Sequence, residues 1–232
     1  MSLQITLDFL TELSSNNNKP WFDAHRAHYD AARSAFEDAV AAILSQFDVV
    51  DELPAIDPKE TIHRINRDVR FSNDKSPYNA AMSAVIGAEG KKSTGRVYYL
   101  RIEPGDRSVA ASGVHDLTAD ELQKLRETIA EDARPLRTIL TAPSFQQMFG
   151  SMAGEQLKTA PKGFAKDHPA IDLLRYKQFI AERPFADAQV AQPDFPDQAI
   201  AVFQAAKPLT LYLHDLLGVR VRPDMHRHAK EE

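Results

Sequence analysis

The chain contains no cysteine. Disulfides, thiolate nucleophiles and cysteine–zinc centres are therefore excluded, and a reducing cytoplasm is the expected setting. No apolar run approaches the ~20 residues a bilayer-spanning helix needs, so no membrane association is expected. Met1 to Leu10 carries Asp8 and no basic cluster, which argues against a secretory leader. Also missing are a glycine-rich phosphate loop, a dinucleotide fingerprint and a nucleophile-elbow serine. These absences remove the common nucleotide enzymes and serine hydrolases and imply no cofactor.

What is present is ordinary in bulk. The 232 residues are 43% hydrophobic, enough for a sizeable core. A net charge of −5 argues against a general nucleic-acid or membrane-surface binder. The charge is uneven, however. The stretches 59–79 and 155–177 each hold five basic residues against three acidic ones, so two basic islands lie in an acidic body. Such islands mark either an anion site or a salt-bridged surface.

Periodicity predicts an α+β fold: a single domain over residues 1–222, with an antiparallel sheet packed by N- and C-terminal helices and a polar tail at 223–232. A first helix runs through Ile5, Phe9 and Leu13. Asn18 and Pro20 suit the cap and first turn of a second, long helix carrying Trp21, His28 or Tyr29, Ala32, Phe36, Val40, Ile43 and Phe47 on one stripe. Short β-rich runs follow at Thr61–Ile65, Ala81–Gly87, Arg96–Glu103 and Ser108–Val114. They succeed one another without intervening helices, which favours a meander. Thr118 and Glu121 form a capping box opening a helix to about Asp132. Helical pieces are expected at Leu136–Leu140, Phe145–Phe149 and His168–Arg175, a strand near Gln178–Glu182, and a last helix over Asp197–Leu217, interrupted or kinked at Pro208.

Three segments could carry chemistry. In the first, Arg64 to Tyr78, arginines 64, 67 and 70 recur at spacing three with Asp68, Asp74 and Lys75 interleaved. Arginine's planar fork matches phosphate or carboxylate, yet the same residues can form a structural ion-pair network. The second, Leu157 to Pro169, presents Lys162 beside Gly163, and Asp167 beside His168. Asp167 either tunes the histidine or caps a helix beginning there. The third, Asn16-Asn17-Asn18 before Trp21-Phe22, suits either amides with an aromatic wall or a plain helix–helix turn. His25 and His28 lie three apart without a third ligand at a suggestive spacing, so no metal is expected.

At these segments the chain resembles a family of conserved bacterial and fungal proteins of unknown function. The marks are Asn17-Asn18-Lys19 with Trp21-Phe22, Arg64 with Arg67-Asp68-Val69-Arg70-Phe71-Ser72, and Asp74-Lys75-Ser76-Pro77-Tyr78. Tyr98-Tyr99, Leu157-Lys158, Pro161-Lys162-Gly163-Phe164 and His168-Pro169 continue the match. The resemblance implies one compact domain and transfers no activity. Asn73 and Asn79 stand where the family carries lysine, which removes two positive charges.

The expectation is a pocket for a small phosphate- or carboxylate-bearing ligand. Arg64, Arg67 and Arg70 supply charge, Lys75 and Lys162 support them, Asp68 orients an arginine, and Trp21 or Tyr78 forms a wall. One alternative is a hydrolase or transferase in the same cleft, with His168 or His63 as base beside Asp167 or Asp68. Another is an interaction module with a flat basic face for an acidic or nucleic-acid partner.

Overall fold

The computed structural model describes residues 2–70, 72–93 and 96–218. The expected polar tail, with His226 and His228, lies outside them. Helix α1 spans Gln4–Ser15 and buries Thr6, Leu7, Phe9, Leu10 and Leu13. Ile5, expected on the buried stripe, is 44% exposed, because the packed face centres on Thr6, Leu10 and Leu13. The Asn18 side chain accepts a hydrogen bond from the Trp21 N–H at 3.0 Å and opens α2, Lys19–Ala24.

The long second helix predicted from the apolar stripe is two helices. His25, with φ −108° and ψ 24°, leaves helical geometry and separates α2 from α3, Arg26–Leu44. Its ring Nδ1 lies 2.8 Å from the Trp21 carbonyl, a bond local to the break. Tyr29, Ala32, Phe36, Val40 and Ile43 form the expected buried stripe of α3, while Phe47 sits beyond it in a 3-10 turn, Phe47–Val49.

The predicted strand at Thr61–Ile65 is absent. Asp57 caps a single helical turn, α4, Pro58–Thr61, and only Ile62 and His63 reach the sheet, through the Ile62–Ala84 bridge and the His63 N–H to Ser83 carbonyl bond of 2.9 Å. Strands β1 (Met82–Ile86), β2 (Tyr98–Ile102) and β3 (Ser108–Val114) then form the meander. Strand β4 (Phe179–Phe185) adds to β3, giving an antiparallel sheet in the order β1-β2-β3-β4. Leu100 is in register with Ala84 on one side and Ala110 on the other, and Ala110 faces Arg183.

Between β3 and β4 lie α5 (Ala119–Glu131), opened by the complete Thr118–Glu121 capping box, α6 (Arg134–Thr141), α7 (Pro143–Phe149) and the short α8 (Ile171–Leu174). Helix α8 begins later than predicted. Asp167 does not cap it; Ala170 precedes it, and the Ala170 N–H donates to His168 Nδ1 at 3.1 Å. After the single turn α9 (Asp187–Val190), helix α10 runs from Phe195 to Leu217 without a break at Pro208, and Gly218 ends it at φ 69°.

Helix α10 joins two hydrophobic clusters. Its first half, with Phe195, Ala199, Val202 and Phe203, completes a cluster with α1, α3, β1 and β2. Its second half, with Ala206, Leu209 and Leu213, completes another with α5 to α8 and β4. A polar contact marks the crossing: Ser112 Oγ and Thr210 Oγ1 lie 2.6 Å apart, buried. No helix among the described residues is long and apolar enough to cross a membrane.

Phe203 is fully buried, its ring centroid 5.5 Å from Tyr98 and 6.0 Å from Phe47. Phe203→Ala leaves a cavity where α10 meets the sheet and is expected to cost about 3–5 kcal/mol in urea unfolding. A loss below about 1 kcal/mol would show that α10 does not hold this cluster together.

Candidate functional site

The segment after Ile62 runs out along residues 65–67, turns through 68–76 and returns along 77–79. The Arg67 N–H donates to the Pro77 carbonyl at 2.9 Å and the Asn79 N–H to the Ile65 carbonyl at 2.8 Å. Asn66 and Tyr78 thus form a non-hydrogen-bonded antiparallel pair, and the backbone N–H and C=O of Tyr78 point to the opposite side. There the Asn17 side chain meets both. Its Nδ2 donates to the Tyr78 carbonyl at 2.8 Å, and its Oδ1 accepts from the Tyr78 N–H at 3.1 Å. One side-chain amide acts as an extra rung of the ladder.

This bracket sets Tyr78 against α2. The Tyr78 ring stacks on Phe22 with centroids 4.0 Å apart and planes at 17°. Phe22 in turn touches Tyr29 at 4.9 Å. Over Phe22 and Tyr29 lies the Arg26 guanidinium, 5.9 and 5.2 Å from the two ring centres. These are cation–π distances that hold an arginine in place while leaving its N–H edge available.

The walls border an open cleft of ≈ 440 Å³, the size of a metabolite site. Its polar lining is Lys19, Asp23, Arg26, Asn66 and Arg67; Ile65, Val69 and Pro77 line it together with the three rings. Lys19 and Asp23 form an exposed pair at 2.6 Å, which raises the lysine pKa, and Arg26 Nε lies 3.3 Å from Asp30. Arg67 is only 23% exposed. Its guanidinium donates to Asp74, to the Ser76 carbonyl at 3.1 Å and to Ser72 Oγ at 3.4 Å. It ties the two ends of the 68–76 turn together. Arg26 differs: among the described residues its two terminal nitrogens make no hydrogen bond.

Of the ligand-binding residues expected from sequence, Arg67 and Tyr78 line the cleft, and Arg64, Asp68, Arg70, Lys75, Lys162 and Trp21 do not. Arg70 forms a two-point pair with Asp68, at 2.9 Å through Nε and 2.6 Å through Nη2. Lys75 Nζ donates to the Val69 carbonyl at 3.0 Å. Arg64 is exposed, and Trp21 stacks on His25 at 4.1 Å rather than on the cleft. Lys162, Asp167 and His168 belong to the second basic island, which packs through Phe164, Leu173 and Tyr176 on the other hydrophobic cluster. His63 is also outside the lining, and no group of three or more metal-ligating side chains occurs among the described residues.

The residues missed were Asn17 as a bracket, and Asp23, Arg26 and Asn66 as lining. A signal existed: Lys19–Asp23 and Arg26–Asp30 are both i,i+4 pairs, and Phe22–Arg26 has the same spacing. Reading only the apolar stripe of the helix passed over its charged edge.

The fold and cleft define an α+β protein with a mixed-charge groove between α2, the start of α3 and a bracketed loop. The chain belongs to the DUF2461 family, described as a conserved hypothetical protein, whose model matches residues 5–212. No curated protein and no solved structure matches it.

The Asp74 carboxyl is held down to about 2, first by the Ser76 hydroxyl, then by the Ser76 N–H and by Arg67. A depressed folded pKa stabilises the turn above the ordinary carboxyl value and loses that contribution as pH falls towards 2. Ser76→Ala should move the Asp74 midpoint, read by carboxyl-carbon NMR, upward towards its ordinary value. A midpoint unchanged from wild type would place control of this carboxyl elsewhere.

Proposed function

We propose that the cleft binds a small anionic ligand, carrying phosphate or carboxylate, with Arg26 as its main contact. The observation behind this reading is the Arg26 guanidinium, paired through Nε with Asp30 but with no hydrogen bond on its terminal nitrogens among the described residues, lying over Phe22 and Tyr29 in the same cleft as Lys19 and Arg67. A preorganised guanidinium loses little freedom on binding and meets an oxyanion through two N–H groups. Lys19 adds positive potential. Arg67 has its donors engaged with the turn, so its role is to position the wall and add field.

The enzyme alternative needs a proton-transferring group at the cleft. Its histidine candidates, His63 and His168, do not line it, and among the described residues the only lining carboxylate is Asp23. The flat-face alternative fits a concave cleft less well. Simple binding is therefore the favoured reading.

A thermal-shift series with phosphate, sulfate, sugar phosphates and carboxylates tests it. A ligand at ~100 times its dissociation constant stabilises the fold by about 2.7 kcal/mol. Arg26→Ala should weaken binding by about tenfold or more, since a charge-assisted hydrogen bond contributes about 1.5–3 kcal/mol, while the variant remains folded. A complete absence of shifts, or shifts that survive Arg26→Ala, would remove the proposal.

A further inference from the structure

The same cleft carries information about the rest of the ligand, and this inference rests on the anion-binding reading. Three aromatic side chains border the cleft, yet none offers a free face. Phe22, Tyr29 and Tyr78 are each under 8% exposed. One face of Phe22 lies against Tyr78, and Arg26 sits over Phe22 and Tyr29. A nucleobase or other flat ring gains most of its affinity from stacking on an open aromatic face, and here the faces are covered. What the cleft does offer beside its cations is hydrogen-bonding capacity of both signs. The Asp23 carboxylate accepts, and the exposed Asn66 amide donates and accepts.

We infer that the ligand is a small hydrophilic anion bearing hydroxyl groups next to its charged head, of the sugar-phosphate or polyhydroxy-acid type, and not a nucleotide. The anionic head sits at Arg26, and Asp23 and Asn66 read the hydroxyls. A carboxylate on the wall of an anion site lowers the affinity for a bare anion and recovers it by accepting hydroxyl protons. The pair therefore selects for hydroxylated ligands.

The test is isothermal titration of the full chain with two matched pairs, inorganic phosphate against ribose 5-phosphate and acetate against gluconate, with adenosine monophosphate as control. In each pair that binds, the hydroxylated member should bind at least tenfold tighter, and the nucleotide should bind no tighter than ribose 5-phosphate. Asp23→Asn should reduce the tenfold ratio towards one. If Asp23 acted only through its charge, Asp23→Asn would strengthen both members equally and preserve the ratio, which overturns the assignment. Equal affinities within each pair in the wild type, or adenosine monophosphate binding tenfold tighter than ribose 5-phosphate, would also overturn it. Either of those results leaves the anion site standing as long as Arg26→Ala still weakens binding by about tenfold or more. Failure of every anion to bind removes both readings.

Discussion

A single side-chain amide holds the candidate site together. The Tyr78 N–H and C=O both point away from its partner strand, at a non-hydrogen-bonded position of the pair. The Asn17 amide, with one donor and one acceptor spaced like those of a peptide group, meets both. A part-buried peptide left unpaired costs about 1–3 kcal/mol, so this contact decides whether the loop lies against α2 or swings free. The rest follows from it: Tyr78 on Phe22, Phe22 against Tyr29, and Arg26 over both rings. Two segments 61 residues apart in sequence become the two walls of one cleft.

The arginine-rich turn then reads as a folded unit rather than a cluster of free charges. Arg67 joins Asp74, Ser76 and Ser72, Arg70 joins Asp68, and Lys75 reaches a backbone carbonyl. Exposed pairs of this kind add little to global stability, but several in one short turn give it a definite shape. Shape is what the cleft needs from this wall. The guanidinium whose terminal nitrogens make no hydrogen bond among the described residues, Arg26, comes from the opposite wall, on α3.

Much of this was legible in sequence. The α+β class, the meander, the Thr118–Glu121 capping box and the Asn18 cap all rest on local rules, and the structure has each of them. The failures share a cause. The break at His25 depends on one residue's backbone geometry inside an otherwise continuous apolar stripe, and periodicity does not register it. Thr61–Ile65 has strand-like composition, but Asp57 and Pro58 start a helical turn first. Ile5 fits the stripe by spacing and loses its place to Thr6, because tertiary packing selects the face. The family resemblance brought out Asn17, Phe22, Arg67 and Tyr78 as marks without saying that they are neighbours. Spacing cannot show that the basic islands sit on separate hydrophobic clusters, so from sequence alone Lys162 and His168 fall in with Arg67.

The bracket is the central claim, and amide hydrogen exchange tests it residue by residue. In the wild type the Arg67, Tyr78 and Asn79 amides should all be protected. In Asn17→Ala those three should lose protection together, while amides in the middle of α10 keep theirs, since the ring partners of Phe203 there are Phe47 and Tyr98 and not the bracketed Tyr78. Retained protection at Tyr78 and Arg67 in Asn17→Ala would contradict the account and mean that the loop wall is held by its own turn alone.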